Sequence, residues 1–247
     1  YWLSDTEWAR IEPLLPRGRR GAHRVDDRRV ISGIVHMLRC GARWRDCPAV
    51  YGPYTTVYNR FNRWSRQGIW LGMFKALTGK SPVISTAAID STHIRAHRSA
   101  AGAKGAFEQA IGISRGGRTS KLHALSDDKG RPHVLMLTPG NINDMLMAEA
   151  LFAAARPFRR LVADRGYDTN RVRELIAARG AVAVIPSTAT RRSQIPYDKA
   201  IYRSRNLIER MWGRLKDWRR LATRYDKLAD NFLSTAALAA AVTYWIN

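Results

Sequence analysis

The stretch I-Y-R-S-R-N-L-I-E-R-M-W-G-R-L-K-D-W-R-R-L-A-T-R-Y, residues 201–225, has the pattern of an amphipathic helix. At 3.6 residues per turn its polar side chains form one stripe, made of Tyr202, Arg205, Glu209 and Lys216. The opposite side is mostly apolar and holds Leu207, Ile208, Met211, Leu215, Trp218 and Ala222. The pattern predicts a helix that packs one face into a core and presents a carboxylate among cations on the other. An ordinary helix with a solvated basic face fits this segment equally well.

The composition is that of a basic globular chain. Of its 247 residues 45% are hydrophobic, which is enough for a full core. Lys and Arg total 42 against 20 Asp and Glu, so the net charge of +22 predicts a polyanionic partner, nucleic acid before a membrane surface. No segment reaches the roughly 20 apolar residues of a spanning helix, and no membrane partner is expected. With only Cys40 and Cys47, neither a disulfide framework nor a zinc site is supported, and a reducing, cytoplasmic compartment is expected.

The amino-terminal third is expected to be helical. A basic arm at 17–24, which includes Arg19 and Arg20, suits contact with DNA phosphates, although a plain charged linker explains it about as well. Two later helices joined by a compact turn suggest a helix-turn-helix DNA-binding unit, with Arg60, Arg63 and Arg66 as its DNA contacts. A small helical bundle with a basic face is the alternative. The Gly-Lys-Ser-Pro stretch at 79–82 predicts two domains, residues 1–80 and 81–247.

Beyond that boundary the pattern becomes α/β. Residues 83–94 favour a strand and carry Asp90 within an apolar run, where a carboxylate needs a reason. Two further strands around the turn at 126–132 predict a hairpin, with Asp127 and Asp128 as turn residues. A short apolar strand at 161–163 ends in Asp164, and a helix and another strand follow. Ligands of α/β sheets gather beyond the carboxyl ends of strands, which is where Asp164 is expected.

Asp90, Asp164 and Glu209 form the candidate chemical site. Each belongs to a different predicted element with apolar sequence beside it, and a very basic chain has little reason to bury acids unless they bind cations. Oxygen ligands alone suit Mg²⁺ or Mn²⁺, and two such ions can support in-line displacement at a phosphodiester. For any one of these acids alone, a structural role fits equally well. Asp168 and His93 lie near the site in sequence, but structural roles are expected for both.

The motifs around these acids resemble those of DDE transposases of bacterial insertion sequences, most closely the insertion-sequence-five type. The resemblance rests on A-I-D-S-T-H-I at Asp90, V-A-D-R-G-Y-D at Asp164 and the Y-x2-R-x3-E-x6-K pattern that begins at Tyr202. It extends to G-G-R-T-S-K-L-H-A at 116–124, T-P-G-N-I-N-D at 138–144 and G-A-R-W-R-D-C-P at 41–48, so it covers nearly the whole chain.

The resemblance implies an α/β fold: a ribonuclease-H-like catalytic core at 81–247 and an all-α, helix-turn-helix-like DNA-binding domain at 1–80. Asp90, Asp164 and Glu209 would be the catalytic residues and would hold two Mg²⁺ or Mn²⁺ ions. The expected DNA contacts near them are Arg205, Lys216, Tyr202 and Lys121, with charge balance beside Glu209 as the alternative role for Arg205 and Lys216. From residue 191 to residue 227, 12 Lys or Arg face 4 Asp or Glu, a density that suits DNA.

The implied activity is that of an insertion-sequence transposase, which binds terminal inverted repeats and carries out metal-dependent strand cleavage and strand transfer. Its partners would be the double-stranded DNA of the element ends and of the target. Because two ends must be brought together, at least a homodimer is expected on DNA. A nuclease that cleaves without joining is the rival in the same chemical class. A DNA-binding regulator with an unused core is the rival from another class.

Overall fold

A computed structural model describes residues 1–17, 26–79, 83–101, 105 and 108–247. Arg19 and Arg20 of the predicted basic arm lie outside the described residues. The helices, in chain order, are α1 (Asp5–Ile11), α2 (Asp27–Cys40), α3 (Tyr54–Arg66), α4 (Ile69–Thr78), α5 (Arg98–Ala101), α6 (Ala148–Ala154), α7 (Asn170–Ala177), α8 (Lys199–Tyr202), α9 (Asn206–Lys216), α10 (Arg219–Ala222) and α11 (Ala229–Tyr244). Within the described part of the chain, none of them combines the length and apolarity that crossing a bilayer requires.

Local signals set the ends of the first helices. Ser4 accepts a hydrogen bond from the backbone N–H of Glu7, whose side chain accepts one from Ser4 N in return, so the capping box at the start of α1 is complete. Asp26 caps α2 by accepting from Arg29 N. Gly41 ends α2 with a φ of 75°, a left-handed conformation that favours glycine.

The strands form one mixed sheet. Their bounds are β1 (Ile84–Ala96), β2 (Gly112–Ser114), β3 (Gly117–Ser126), β4 (Pro132–Pro139), β5 (Phe158–Val162) and β6 (Val182–Val184), followed by the two-residue β7 (Thr223–Arg224). β3 pairs antiparallel with β1, β2 and β4, so the predicted hairpin is present as β3 and β4. On the other side of β1, β5 and β6 add parallel strands. The long antiparallel strands β1, β3 and β4, followed along the chain by the parallel strands β5 and β6, are consistent with the expected ribonuclease-H-like core.

The chain folds into two compact units, which do not follow a linear division at residue 80. One unit contains Tyr1–Lys80, Ala96–Gly105 and Arg214–Asn247. In it α11 packs against α2, α3 and α4, and the side chains of Phe232 and Leu238 are almost fully buried. The amino-terminal helices therefore share their core with the carboxy-terminal helix, because their apolar faces need a partner that the first 80 residues do not supply.

The other unit contains Ser81–Arg95 and Ala106–Gly213. Its core lies between the sheet and helices α6 and α7. The buried side chains there include Ile84, Ile89, Leu125, Leu151, Phe152, Leu161, Val172 and Ile176. This core fixes β1, which carries Asp90, and β5, which ends just before Asp164.

The single helix predicted over 201–225 is broken into several elements. A 3₁₀ turn, Arg203–Arg205, separates α8 from α9, and α9 ends at Lys216. Ile208, Met211 and Leu215 are buried as the apolar face predicts. Trp218 is also buried, but it has an extended backbone and forms the N-cap of α10. Its Nε1 donates a hydrogen bond to Thr243 Oγ1 over 3.3 Å. The packing of Trp218 against α11 therefore accompanies the break.

Candidate active site

Two neighbouring parallel strands bring Asp90 and Asp164 to the same level of the sheet. Ala88 of β1 pairs with Val162 of β5, and each carboxylate lies two residues further along its chain. Side chains two residues apart on a strand point to the same face. Asp164 begins a 3₁₀ turn, where its Oδ1 accepts from Gly166 N over 2.9 Å, which fixes the carboxylate at the strand end.

Arg205 links these two carboxylates to Glu209. Its Nη2 lies 3.9 Å from Asp90 Oδ1 and 3.9 Å from Asp164 Oδ2. Its Nη1 donates to Glu209 Oε1 across one helical turn. The three predicted acids therefore converge around one guanidinium, although they come from a strand, a strand end and a helix.

Burial also changes the acidity of the Asp90 carboxyl. It raises the pKa of Asp90 to about 6, and the neighbouring Asp164 and Asp144 carboxylates raise it further, while Ser91 N and the Arg205 guanidinium act in the opposite direction. Asp90 therefore lies in a water-poor, acidic environment where a positive charge is favoured. Arg205 supplies that charge here.

Asp144 and Tyr167 belong to the same acidic cluster and were missed as site residues in the sequence. The pKa of Tyr167 is raised by burial and then by Asp144, Asp90 and Asp164. Its buried hydroxyl has no hydrogen-bond partner among the described residues. Asp144 Oδ1 lies 2.8 Å from Lys121 Nζ. Both residues stand in stretches quoted for the family resemblance, V-A-D-R-G-Y-D and T-P-G-N-I-N-D, which was the available signal.

Two of the predicted DNA contacts do not fit that role. Lys121 is only 6% exposed, and its Nζ pairs with Asp144 and donates to Ile142 O over 2.7 Å. Arg60 is 5% exposed, pairs with Asp27 and lies over the Trp64 ring, with Cζ 4.9 Å from the ring centroid. Both cations are used inside the fold, because a buried charge needs a partner there. This burial and pairing argue against a DNA contact for either side chain, and their predicted role stays a prediction.

The remaining predicted contacts are more accessible. Arg63 and Arg66 are exposed on α3. Tyr202, at the end of α8, is half-buried and meets the Tyr197 ring edge-on at a centroid distance of 5.3 Å. Lys216 is the last residue of α9 and is half-buried.

Asp168 and His93 have the structural roles expected of them. The Asp168 carboxylate accepts from Arg173 Nε, Arg191 Nε and Thr188 N at 2.7–2.9 Å. Burial acts to raise the pKa of Asp168, but these hydrogen bonds lower it to about 2. His93 Nε2 lies 3.1 Å from Gly140 O.

The donor set suits a hard divalent cation, because carboxylate oxygens are the ligands that Mg²⁺ and Mn²⁺ prefer. Among the described residues, however, no three acidic, His or Cys side chains stand close enough together to hold an ion directly. The Arg205 guanidinium stands between the three acids. Binding of an ion at this cluster therefore requires the Arg205 side chain to move.

The chain matches two sequence families of mobile-element proteins. Residues 3–74 match the family described as "Putative transposase of IS4/5 family". Residues 81–244 match the family described as "Transposase DDE domain".

Individual relatives and one solved structure agree with these matches. The chain is 34% identical over 127 residues to a "Putative transposase for insertion sequence element IS6501" of Brucella ovis, covering 51% of this chain and 98% of the relative. It is 34% identical over 122 residues to a "Putative transposase for insertion sequence element IS402" of Burkholderia cepacia, covering 45% of this chain and 56% of the relative. The fold resembles the piggyBac transposase in a synaptic complex with hairpin DNA, with a TM-score of 0.53, 10% identity, and coverage of 98% of this chain and 71% of that chain.

The Transposase DDE domain family spans most of this chain, including all three converging acids. The structural likeness adds agreement at the level of the fold alone. The chain therefore belongs to the DDE transposase family of insertion sequences.

Proposed function

We propose that this transposase binds the terminal inverted repeats of its element and that Asp90, Asp164 and Glu209 form the centre that cleaves and transfers DNA strands. The observation that carries the proposal is the convergence of the three acids around Arg205. Carboxylates held this close repel one another unless a cation lies among them. DNA phosphoryl transfer needs such a cation at the reacting phosphate.

The same three acids would hold the Mg²⁺ or Mn²⁺ ions, two in the family arrangement. Bound there, the ions would activate the attacking oxygen and stabilise the leaving oxygen of an in-line displacement. The protein's part is to hold the acids at the strand ends and to keep Asp90 in a water-poor environment. Arg205 neutralises the acids in the absence of ions, and we propose that it turns to a DNA phosphate when ions bind.

Binding of DNA would use exposed cations outside the acidic cluster. Arg63 and Arg66 lie exposed on α3, and the net charge of +22 favours any polyanion. Lys216 and Tyr202 would add further contacts to the DNA. Because phosphate contacts release counterions, binding should weaken steeply with salt.

The proposal is tested by following both products on one duplex that carries the DNA ends flanking this gene. The unchanged protein should cut at the ends and join them to target DNA when Mg²⁺ or Mn²⁺ is present, and Glu209→Gln should bind but do neither. Glu149→Gln is the matched control, since Glu149 is a surface carboxylate, 63% exposed, paired with Arg171. Cutting without joining would favour a nuclease, and binding without cutting would favour a regulator.

We further propose that the protein works as a homodimer on DNA, since two ends must react together. Mass photometry of complexes on paired ends should show two protein chains per complex. A mass that corresponds to one chain on two ends would contradict this part of the proposal.

A further inference from the structure

The unit that contains the amino-terminal helices holds a cleft of about 1070 Å³, comparable with the roughly 300–1,000 Å³ of small-molecule sites. Its lining comes mostly from the connector after α2, from the start of α3 and from the stretch between α10 and the start of α11, with Ser99 of α5 added. None of the three acids proposed for catalysis lines it. The cleft is therefore a separate feature of the molecule.

Aromatic rings form much of the lining. Trp44 is held in place, stacked on Phe61 with a centroid distance of 5.2 Å and with Arg220 Cζ 4.9 Å from its own centroid. Tyr58 lies against Trp44 at a centroid distance of 5.5 Å. Tyr54 and Tyr225 also line the cleft and are 44% and 37% exposed. The packed Trp44 ring and the exposed tyrosine rings together offer surfaces on which a flat ligand can stack.

The cations of the cleft divide into paired and available ones. Arg43 is paired with Asp46, and Arg220 lies 3.6 Å from Asp226. Arg45 and Lys227 are exposed lining residues. In the part of the chain that the structure describes, neither has a side chain paired with an acid. These two cations are available for a phosphate group.

Buried acceptors lie beside the rings. Asp226 and Asn231 line the cleft and are 7% and 4% exposed. Asp226 Oδ2 and Asn231 Oδ1 have no hydrogen-bond partner among the described residues. A buried polar atom without a partner costs free energy, so a ligand that brings N–H donors to these side chains would remove that cost.

Stacking surfaces, available cations and unpartnered acceptors match the three parts of a nucleotide: the ring, the phosphate and the amino edge of the base. We propose that this cleft binds an unpaired, amino-bearing nucleobase of a DNA strand, stacked against Tyr54, Tyr58 and Tyr225. A paired base cannot enter, because both its faces and its hydrogen-bonding edge are already occupied in the duplex. This proposal rests on the proposed function, since it assumes that DNA is the partner.

The test uses the full chain and labelled strands of eight abasic sites that carry either one central guanine or no base, compared by fluorescence anisotropy at one salt concentration. Stacking of one base on aromatic side chains is expected to tighten binding about tenfold over the fully abasic strand. Tyr54→Ala and Tyr225→Ala should each remove most of that difference. Trp2→Ala is the matched control, since Trp2 is 50% exposed and does not line the cleft.

A second series separates the parts of the cleft. Arg45→Ala should weaken both strands by the same factor, because it removes a phosphate contact alone. Thymine, which has no exocyclic amino group, should bind more weakly than guanine, adenine or cytosine. Because Tyr54 and Tyr225 are exposed, their variants should keep the thermal unfolding midpoint of the unchanged protein, and this measurement accompanies each titration.

Two results would overturn the proposal. Equal affinity for the guanine and the fully abasic strand would do so, and so would a base preference that survives both tyrosine substitutions. Duplex binding and end cleavage are measured on the same preparations. If those hold while the base preference is absent, the nucleobase cleft alone fails; if the protein binds no DNA at all, the proposed function fails with it.

Discussion

The carboxyl group of Asp90 makes the stability of the metal-free protein depend on pH. Its pKa is about 6 in the folded chain and about 4 for an unperturbed Asp. The folded state therefore holds this proton more tightly, and the stabilisation is lost as the pH rises through 6. We therefore expect the thermal unfolding midpoint of Asp90→Asn to rise relative to that of the unchanged protein as the pH is raised from 5 to 7.5. Asp5→Asn is the control, since Asp5 is 94% exposed. The account would be contradicted if the difference in midpoint between Asp90→Asn and the unchanged protein stayed the same from pH 5 to pH 7.5.

The contribution of Asp168 to stability depends on pH in the opposite direction. Its folded pKa of about 2 lies below the usual value because Arg191, Thr188 N and Arg173 together outweigh burial. Its contribution is present above about pH 4 and is lost as the pH falls toward 2. Asp168→Asn leaves two cations partly unpaired, so we expect a loss of about 3 kcal/mol in the free energy of unfolding at pH 7, measured by denaturant titration.

Glu149→Gln is the matched comparison for Asp168→Asn. Glu149 also pairs with an arginine, Arg171, but both side chains are more than 60% exposed. Exposed pairs of this kind contribute less than about 1 kcal/mol. Equal losses from the two substitutions would show that burial is not what makes the Asp168 cluster important.

At the scale of single elements, α3 separates two kinds of arginine. Arg63→Ala and Arg66→Ala should each weaken DNA binding and lower the slope of log affinity against log salt by about one, since exposed cations contact phosphates. Arg60→Ala should instead lower the unfolding midpoint, because Arg60 is buried against Asp27 and Trp64. Titrations at several salt concentrations, with melting curves for each variant, check this division. A salt slope unchanged in both Arg63→Ala and Arg66→Ala would contradict a DNA-binding role for α3.

The sequence could predict most elements but not their partners. The strand patterns around Asp90 and Asp164 indicated an α/β layout, and parallel pairing of β1 with β5 brings these residues to one level. Helical spacing alone predicted Arg60 and Arg63 as equivalent DNA contacts, although Arg60 is buried and Arg63 is exposed. The break after Lys216 likewise goes with the contact of Trp218 with Thr243. Such contacts join residues far apart in sequence, which no local pattern reveals.

At the scale of the whole molecule, the shared core of the first unit predicts the behaviour of fragments. Residues 1–80 lack α11, which packs against α2, α3 and α4. We expect a fragment of residues 1–80 to show weak, non-cooperative unfolding by circular dichroism, because its apolar helix faces stay exposed to water. Adding a peptide of residues 214–247 should restore a cooperative transition. A cooperative transition of the fragment alone would contradict the shared core.

The family resemblance carried information at this scale that local patterns lacked. It implied that the three acids meet, and the structure places Asp90, Asp164 and Glu209 around Arg205. It did not indicate that a guanidinium would stand among them or that Lys121 would be paired with Asp144. Both features follow from the cost of collecting like charges in a partly buried site, which depends on the assembled fold.

The central claim is that these three acids share a divalent cation, and Mn²⁺ binding followed by electron paramagnetic resonance tests it most directly. Mn²⁺ would be titrated into DNA-bound samples of the unchanged protein and of Asp90→Asn, Asp164→Asn and Glu209→Gln. DNA-bound Glu149→Gln is the control. The account predicts that each of the three substitutions weakens Mn²⁺ binding at least about tenfold, since each replaces a charged carboxylate with a neutral amide, while the control binds as the unchanged protein does. Unchanged Mn²⁺ binding in all three variants would contradict it.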